Sequence, residues 1–145
     1  MQELPHHYTV EASAEAEGEA ALSCDRLVTI PFAPPEEFGG PGDRWCPETL
    51  LVAAIASCFI LSFRAVARAS RFPWKSLKCE VEGKLERVEG AMKFTRFVIQ
   101  ATLGVARDAD QKRAHLLLEK AEKTCLVTNS LSAETQLKAE IQKIA

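Results

Sequence analysis

Pro47-Glu48-Thr49, running into LLVAAIASCFILSF at residues 50–63, is the segment from which the rest of the fold can be read. Proline suits the first helical position, where its missing N–H costs no hydrogen bond. Glu48 in the first turn meets the positive end of the helix dipole. The run is apolar on all sides but, at 14 residues, shorter than the ~20 needed to cross a bilayer, so a buried central helix is expected. The more polar RAVARASR, residues 64–71, prolongs it until Phe72-Pro73-Trp74 breaks it. Leu51, Ala54, Cys58, Leu61 and Ala65 step by three and four along one stripe, and its alanines allow a second helix to approach closely.

Upstream, PFAPPEEFGGPGDRW at residues 31–45 carries four prolines and three glycines, a composition that predicts a long loop without regular structure. Before it, residues 7–12 alternate and residues 19–30 hold two short apolar stretches, both readable as strands. Downstream, Leu77, Cys79, Val81, Gly83 and Leu85 alternate with charged residues. Glu89-Gly90 suits a turn, and Phe97, Ile99, Ala101, Leu103 and Val105 alternate on the return. Met92 and Phe94 have the opposite parity, which predicts a bulge or a strand start buried on both faces. Asp108 or Asp110 can cap a helix whose Ala114, Leu117, Leu118, Ala121 and Cys125 share one face. Leu137, Ala139 and Ile141 alternate in a closing strand. This order predicts an α+β fold in a single domain, residues 1–145.

With 18 basic and 20 acidic residues and a formal charge of −2, the chain lacks the electrostatic footprint of a nucleic-acid or anionic-membrane binder. Five cysteines, Cys24, Cys46, Cys58, Cys79 and Cys125, form no CxxC pair or Cys/His cluster, so neither a metal nor a cofactor is expected. The first twenty residues have no basic segment followed by an apolar core, so a cytoplasmic chain with reduced thiols is the expectation. On periodicity alone Cys58 and Cys125 read first as packing residues on helix faces. The alternative is a pair that meets in space as a reversible disulfide. Cys24 and Cys79 fall in strand patterns and read as packing residues. Cys46 precedes Pro47, as a weak helix cap or a third thiol.

EFGGPGDRWCPETLLVAAIASCF, followed later by EKAEKTCLVTNSL, resembles the OsmC/Ohr family of osmotically inducible and organic hydroperoxide resistance proteins. Shared features are a Gly-rich loop, Pro-Glu opening a long helix with a cysteine ten residues beyond the glutamate, and a second cysteine ending a later helix. The resemblance implies antiparallel sheets around a long central helix in an intertwined homodimer. It also implies a thiol peroxidase that reduces organic hydroperoxides in oxidative-stress defence. Cys58 matches the cysteine that attacks the peroxide and becomes a sulfenic acid, and Cys125 the one that resolves it as a disulfide. An external dithiol, lipoyl-type in the Ohr branch, regenerates the pair. Glu48 matches a glutamate that holds an activating arginine in relatives.

Helix geometry adds a constraint. Glu48 and Cys58 lie ~15 Å apart along the axis and roughly 80° around it, beyond hydrogen-bond reach within one helix. For Glu48 to serve Cys58 it must come from an antiparallel second copy, which predicts an obligate dimer.

The activating arginine of the Ohr branch usually lies in a Gly-Arg turn between the first two strands. Residues 13–20, SAEAEGEA, contain none. Arg26 and Arg44 are the nearest substitutes. Arg44, just ahead of Pro47, is the better placed, with a solvated loop charge or a partner for Asp43 as its other readings. Leu126 also stands where many relatives have a proline after the second cysteine. Phe59, Leu61, Phe63 and Trp45 are expected to line the substrate side of Cys58 and favour alkyl or lipid hydroperoxides. The rival function is a non-enzymatic small-molecule-binding stress protein with the same fold. A hydrolase using Cys58 lacks a histidine in a suitable motif.

Overall fold

The computed structural model describes all residues, Met1–Ala145. The chain divides into two compact units, Met1–Leu51 and Val52–Ala145. Together they contain two three-stranded sheets and a long helix shared across the division.

In the first unit, β1 (Glu11–Ser13), β2 (Ala20–Ser23) and β3 (Ile30–Phe32) form an antiparallel sheet in chain order. These strands are only three or four residues long and none of their side chains is fully buried. The expected strand over residues 7–12 is thus reduced to a short piece beginning at Glu11. The Gly/Pro-rich segment is more ordered than its composition suggests. β3 includes Pro31, residues Glu36–Phe38 make one turn of 3-10 helix, and Phe32 bridges Trp45. Prolines are tolerated here because the elements are short and at sheet edges. Gly40 is packed against the Pro34 carbonyl, where a Cβ would collide with backbone.

Helix α1 spans Pro47–Ala69. Cys46 caps it reciprocally with Thr49. The Cys46 sulfur accepts from the Thr49 N–H at 3.4 Å while the Thr49 hydroxyl oxygen accepts from the Cys46 N–H at 3.1 Å. At the far end, Arg71 takes a left-handed conformation (φ 52°). Its N–H bonds the Arg68 carbonyl, and the Phe72 N–H bonds the Ala67 carbonyl. This is a Schellman termination with arginine where glycine is usual.

Two expectations about α1 change. The helix has 23 residues, long and apolar enough to cross a membrane by length and composition, because polar residues at both ends join the apolar run. It is also not a fully buried helix. Ile55, Phe59, Phe63, Val66 and Ala67 form its buried stripe, whereas the Cys58 stripe is half-buried or open, with Leu61 59% exposed.

In the second unit, β4 (Ser76–Val88) and β5 (Ala91–Ala106) make a long antiparallel hairpin turning at Glu89-Gly90. The parity change at Phe94 is a bulge. Lys84 pairs with Arg96 and Leu85 with Phe94, leaving Thr95 as the extra residue. Gly83 opposite Phe97 leaves room for the stacked rings of Phe94 and Phe97. Helix α2 (Gln111–Thr124) is capped by Asp110, whose carboxylate accepts from the Arg113 N–H at 3.0 Å. A short helix α3 (Leu126–Asn129) follows, and β6 (Glu134–Ile144) closes the sheet. β6 runs parallel to β5, so this sheet is mixed rather than wholly antiparallel. The α2–α3 connection supplies the crossover that a parallel neighbour requires. Phe97, Ile99, Leu103 and Val105 of β5, Leu118 of α2, and Ile55, Phe59 and Phe63 of α1 are fully buried and form the core.

Candidate thiol site

The site begins with the way α2 ends. Cys125 has extended dihedrals (φ −68°, ψ 107°) and serves as both the C-cap of α2 and the N-cap of α3. Its N–H bonds the Glu122 carbonyl, while its own carbonyl accepts from the Asn129 N–H and the Thr128 hydroxyl. Its sulfur is completely buried, as the apolar face of α2 predicts. The opening turn of α3 is left with free N–H groups at Leu126 and Val127.

Those groups face Cys58. Burial pushes the Cys58 thiol pKa up. The Val127 N–H, the Cys125 thiol, the Ser62 hydroxyl and the Leu126 N–H together outweigh it, and the pKa is lowered from 9.0. Ser62 lies one helical turn beyond, its oxygen 4.0 Å from the sulfur. The structure therefore brings Cys58 and Cys125 together as free thiols, with Cys58 half-buried and Cys125 buried. A thiolate stabilised by N–H donors is the nucleophilic form of cysteine, and a second thiol at its side can condense with an oxidised sulfur.

Ser62, Leu126 and Val127 were not anticipated as part of this arrangement. The i, i+4 spacing of Cys58 and Ser62 was available as a signal. The two N–H groups had none, because they depend on a helix break at Cys125.

Glu48 and Arg44 belong to the first unit. Glu48 Oε1 is buried without a hydrogen-bond partner. It borders an apolar cavity of about 210 Å3 formed by Phe32, Ala33, Pro34, Pro35, Phe38 and Pro47. Arg44 is engaged by two other carboxylates, Asp43 at 3.3 Å and Glu19 at 3.5 Å. The Asp43 contact is the pairing weighed from the sequence, and Glu19 lies in the segment where relatives carry their arginine. Phe59 and Phe63 are fully buried in the core, so they do not offer the expected substrate surface. Trp45 is half exposed.

Of the remaining cysteines, Cys46 is the helix cap already described, and Cys24 donates to the Thr9 carbonyl at 3.4 Å. Cys79 on β4 is half-buried, and its thiol is pushed up to about 11 by burial and by the charge of a Cys125 thiolate.

Cys58 on α1 and Cys125 at the junction of α2 and α3, brought together as two free thiols, define a dithiol protein built on an α+β frame. Comparison narrows this class. The family model for OsmC-like proteins matches residues 40–140, and the chain belongs to that family. The uncharacterized protein YmaD of Bacillus subtilis is 25% identical over 140 residues, covering 93% of each chain. The organic hydroperoxide resistance protein of Xanthomonas axonopodis pv. citri is 31% identical over 127 residues, covering 85% of this chain and 86% of that one. Among solved structures, an organic hydroperoxide resistance protein from Legionella pneumophila superposes with a TM-score of 0.76. It has 23% identity and covers 97% of this chain and 99% of its own.

Proposed function

We propose that the chain, acting as one OsmC-like domain over residues 1–145, is a thiol peroxidase for organic hydroperoxides. The carrying observation is that the Cys58 thiol, lowered in pKa by N–H and hydroxyl donors, faces the buried Cys125 thiol. The organic hydroperoxide resistance protein at 31% identity supports the substrate class.

In this mechanism the Cys58 thiolate attacks the terminal oxygen of the hydroperoxide. The O–O bond breaks, the alkoxide leaves and takes a proton to become the alcohol, and Cys58 becomes a sulfenic acid. The Cys125 sulfur then attacks the Cys58 sulfur and hydroxide departs, taking the Cys125 proton as water. An external dithiol, lipoyl-type by family resemblance, reduces the resulting disulfide and is itself oxidised. No metal or cofactor enters.

Arg44 and Glu48 are the ionic part of the proposed site. The unpaired Glu48 carboxyl offers an anchor for the Arg44 guanidinium if that exchanges partners away from Glu19. Because Glu48 cannot reach Cys58 along one helix, this arrangement needs a homodimer, and the open Leu61-bearing stripe of α1 supplies an apolar surface for it. That use of the helix, in a reducing cytoplasm, is proposed in preference to a membrane location.

The test is turnover of cumene hydroperoxide with dihydrolipoamide by wild type, Cys58→Ser and Cys125→Ser. Turnover by wild type alone is expected. Absence of turnover in wild type, with retained binding of small apolar molecules, would assign the chain to the binding-protein alternative.

A further inference from the structure

Between Glu48 and Glu80 the sequence has no acidic residue and five basic ones, Arg64, Arg68, Arg71, Lys75 and Lys78, although the whole chain has a formal charge of −2. Three of them meet in one place. Arg64, Arg68 and Arg71, with Phe72, Pro73 and Trp74, line an open cleft of about 370 Å3 where α1 ends. Arginines near a helix C-terminus are ordinarily explained by the helix dipole. Here the final carbonyls of α1 are already satisfied by backbone, since the Ser70, Arg71 and Phe72 N–H groups bond the Val66, Arg68 and Ala67 carbonyls. The ion pairs of the chain use Arg26, Arg44 and Lys84. Its guanidinium hydrogen bonds come from Arg44, Arg87, Arg96 and Arg113. The three cleft arginines therefore have no partner within the chain. Lys75 differs, because its Nζ donates to the Ala145 carbonyl oxygen at 3.0 Å.

The aromatic side of the cleft is braced. Phe72 is buried, and the Arg113 guanidinium lies over its ring at 5.4 Å while donating to the Ser70 carbonyl. Trp74 is half-buried and meets the core ring of Phe63 edge to face, with centroids 5.4 Å apart. Arg71 keeps its side chain at φ 52°, where glycine would be unstrained. Strain retained at such a position points to a use for the side chain.

We propose that this cleft binds a small organic phosphate carrying a planar ring. The phosphoryl oxygens accept from the guanidinium groups of Arg64, Arg68 and Arg71, and the ring lies against Pro73 and Trp74. The planar fork of a guanidinium matches phosphate oxygens and keeps its charge at every physiological pH. Three such charges outweigh the roughly half negative charge that the helix end contributes. The volume falls in the range of small-ligand clefts, and the negative charge of the whole chain disfavours an extended polyanion. The proposal does not rest on the peroxidase reading.

The chain has two tryptophans, so Trp45→Phe leaves Trp74 as the sole reporter. The full chain with that substitution is titrated at low ionic strength with phenyl phosphate, inorganic phosphate and phenol, followed by Trp74 fluorescence and calorimetry. Saturable binding of phenyl phosphate is expected, about tenfold or more tighter than either fragment. Adding Arg68→Gln and Arg71→Gly should weaken it about tenfold or more, as loss of charge-assisted hydrogen bonds requires. Glycine suits the left-handed position, and circular dichroism of the variant checks that the fold is kept. Absence of a saturable response to millimolar phenyl phosphate, or unchanged affinity in the folded variant, overturns the proposal. Equal affinity for inorganic phosphate and phenyl phosphate overturns the ring contact and with it the ligand class. Binding to phosphatidate vesicles without a response to phenyl phosphate also overturns it, in favour of a lipid surface.

Discussion

The two units handle polar groups in opposite ways. In Val52–Ala145, the thiol of Cys58 is matched by donors from α3 and from its own helix, over a core of fully buried aromatic and aliphatic side chains. In Met1–Leu51, strands are short and partly open, Arg44 is held by two surface carboxylates, and Glu48 keeps a buried oxygen without a partner. The contrast separates two ways of activating a thiolate. One uses neutral donors built into a well-packed frame, and the other uses a guanidinium delivered from a loop. In this chain the neutral donors lie around Cys58 in the second unit, whereas Arg44 and Glu48 lie in the first.

Mutations can break that contrast, and the largest effect should come from the proposed nucleophile. Cys58→Ser is expected to lower hydroperoxide turnover by roughly 10³-fold or more, read by peroxide consumption. Cys125→Ser should still consume one equivalent and leave a dimedone-reactive sulfenic acid on Cys58. Wild-type turnover in the Cys58 variant would remove the basis of the assignment.

Stability should show the same asymmetry. Phe97→Ala, at a fully buried ring stacked on Phe94, should cost about 3–5 kcal/mol in urea unfolding. Phe38→Ala in the first unit, at a ring 48% exposed, should cost about 1 kcal/mol or less. Equal costs would mean that the two units are not distinguished by packing.

The pH dependence sharpens the comparison among thiols. Alkylation of Cys58 should have its midpoint below 9.0, whereas that of Cys79 should fall near 11. For Cys58 the folded pKa is depressed, so its stabilising contribution is complete above 9.0 and is lost as pH falls through the folded value. Cys79 has the opposite sign. Its folded pKa is raised, so its contribution is present below 9.0 and is lost as pH climbs towards about 11. Ser62→Ala should move the Cys58 midpoint upward, and an unchanged midpoint would exclude its hydroxyl from thiolate stabilisation.

The smallest effects concern surface groups. Arg44→Ala should change stability by about 1 kcal/mol or less, because both its ion pairs are solvent-exposed. A tenfold or greater loss of turnover with that small stability change would identify its guanidinium as part of the working site. Arg71→Gly should stabilise α1 by about 0.5–1 kcal/mol, measured as a rise in Tm, because glycine accepts the left-handed conformation without steric penalty.

Much of the second unit was legible because strict alternation and helical spacing are local signals. The hairpin, the irregularity near Phe94 that proves to be a bulge, a cap at Asp108 or Asp110 that proves to be Asp110, and the burial of Cys125 all follow from residues close together in the chain. Three features were hidden for a common reason. The parallel pairing of β6, the small helix α3 and the choice of which α1 stripe is buried depend on partners distant in sequence. Leu51, Ala54, Cys58, Leu61 and Ala65 look as apolar as Ile55, Phe59, Phe63 and Val66, and periodicity alone cannot rank two apolar faces. At the thiol site, residue types indicated Cys58 and Cys125, but the N–H donors of Leu126 and Val127 carry no side-chain signature. Arg44 illustrates the converse, since its charge was visible while its attachment to Glu19 depended on how β2 and the loop before α1 fold.

The parallel strand has a consequence for biosynthesis. β5 is the middle strand of its sheet, and the neighbour on its second edge is synthesised only after α2 and α3. While a nascent chain leaves the ribosome, the β4–β5 hairpin therefore waits with an open hydrogen-bonding edge of up to sixteen residues. Crowded polysomes bring many such edges together, so the hairpin is a site for co-translational aggregation until β6 has emerged and joined it.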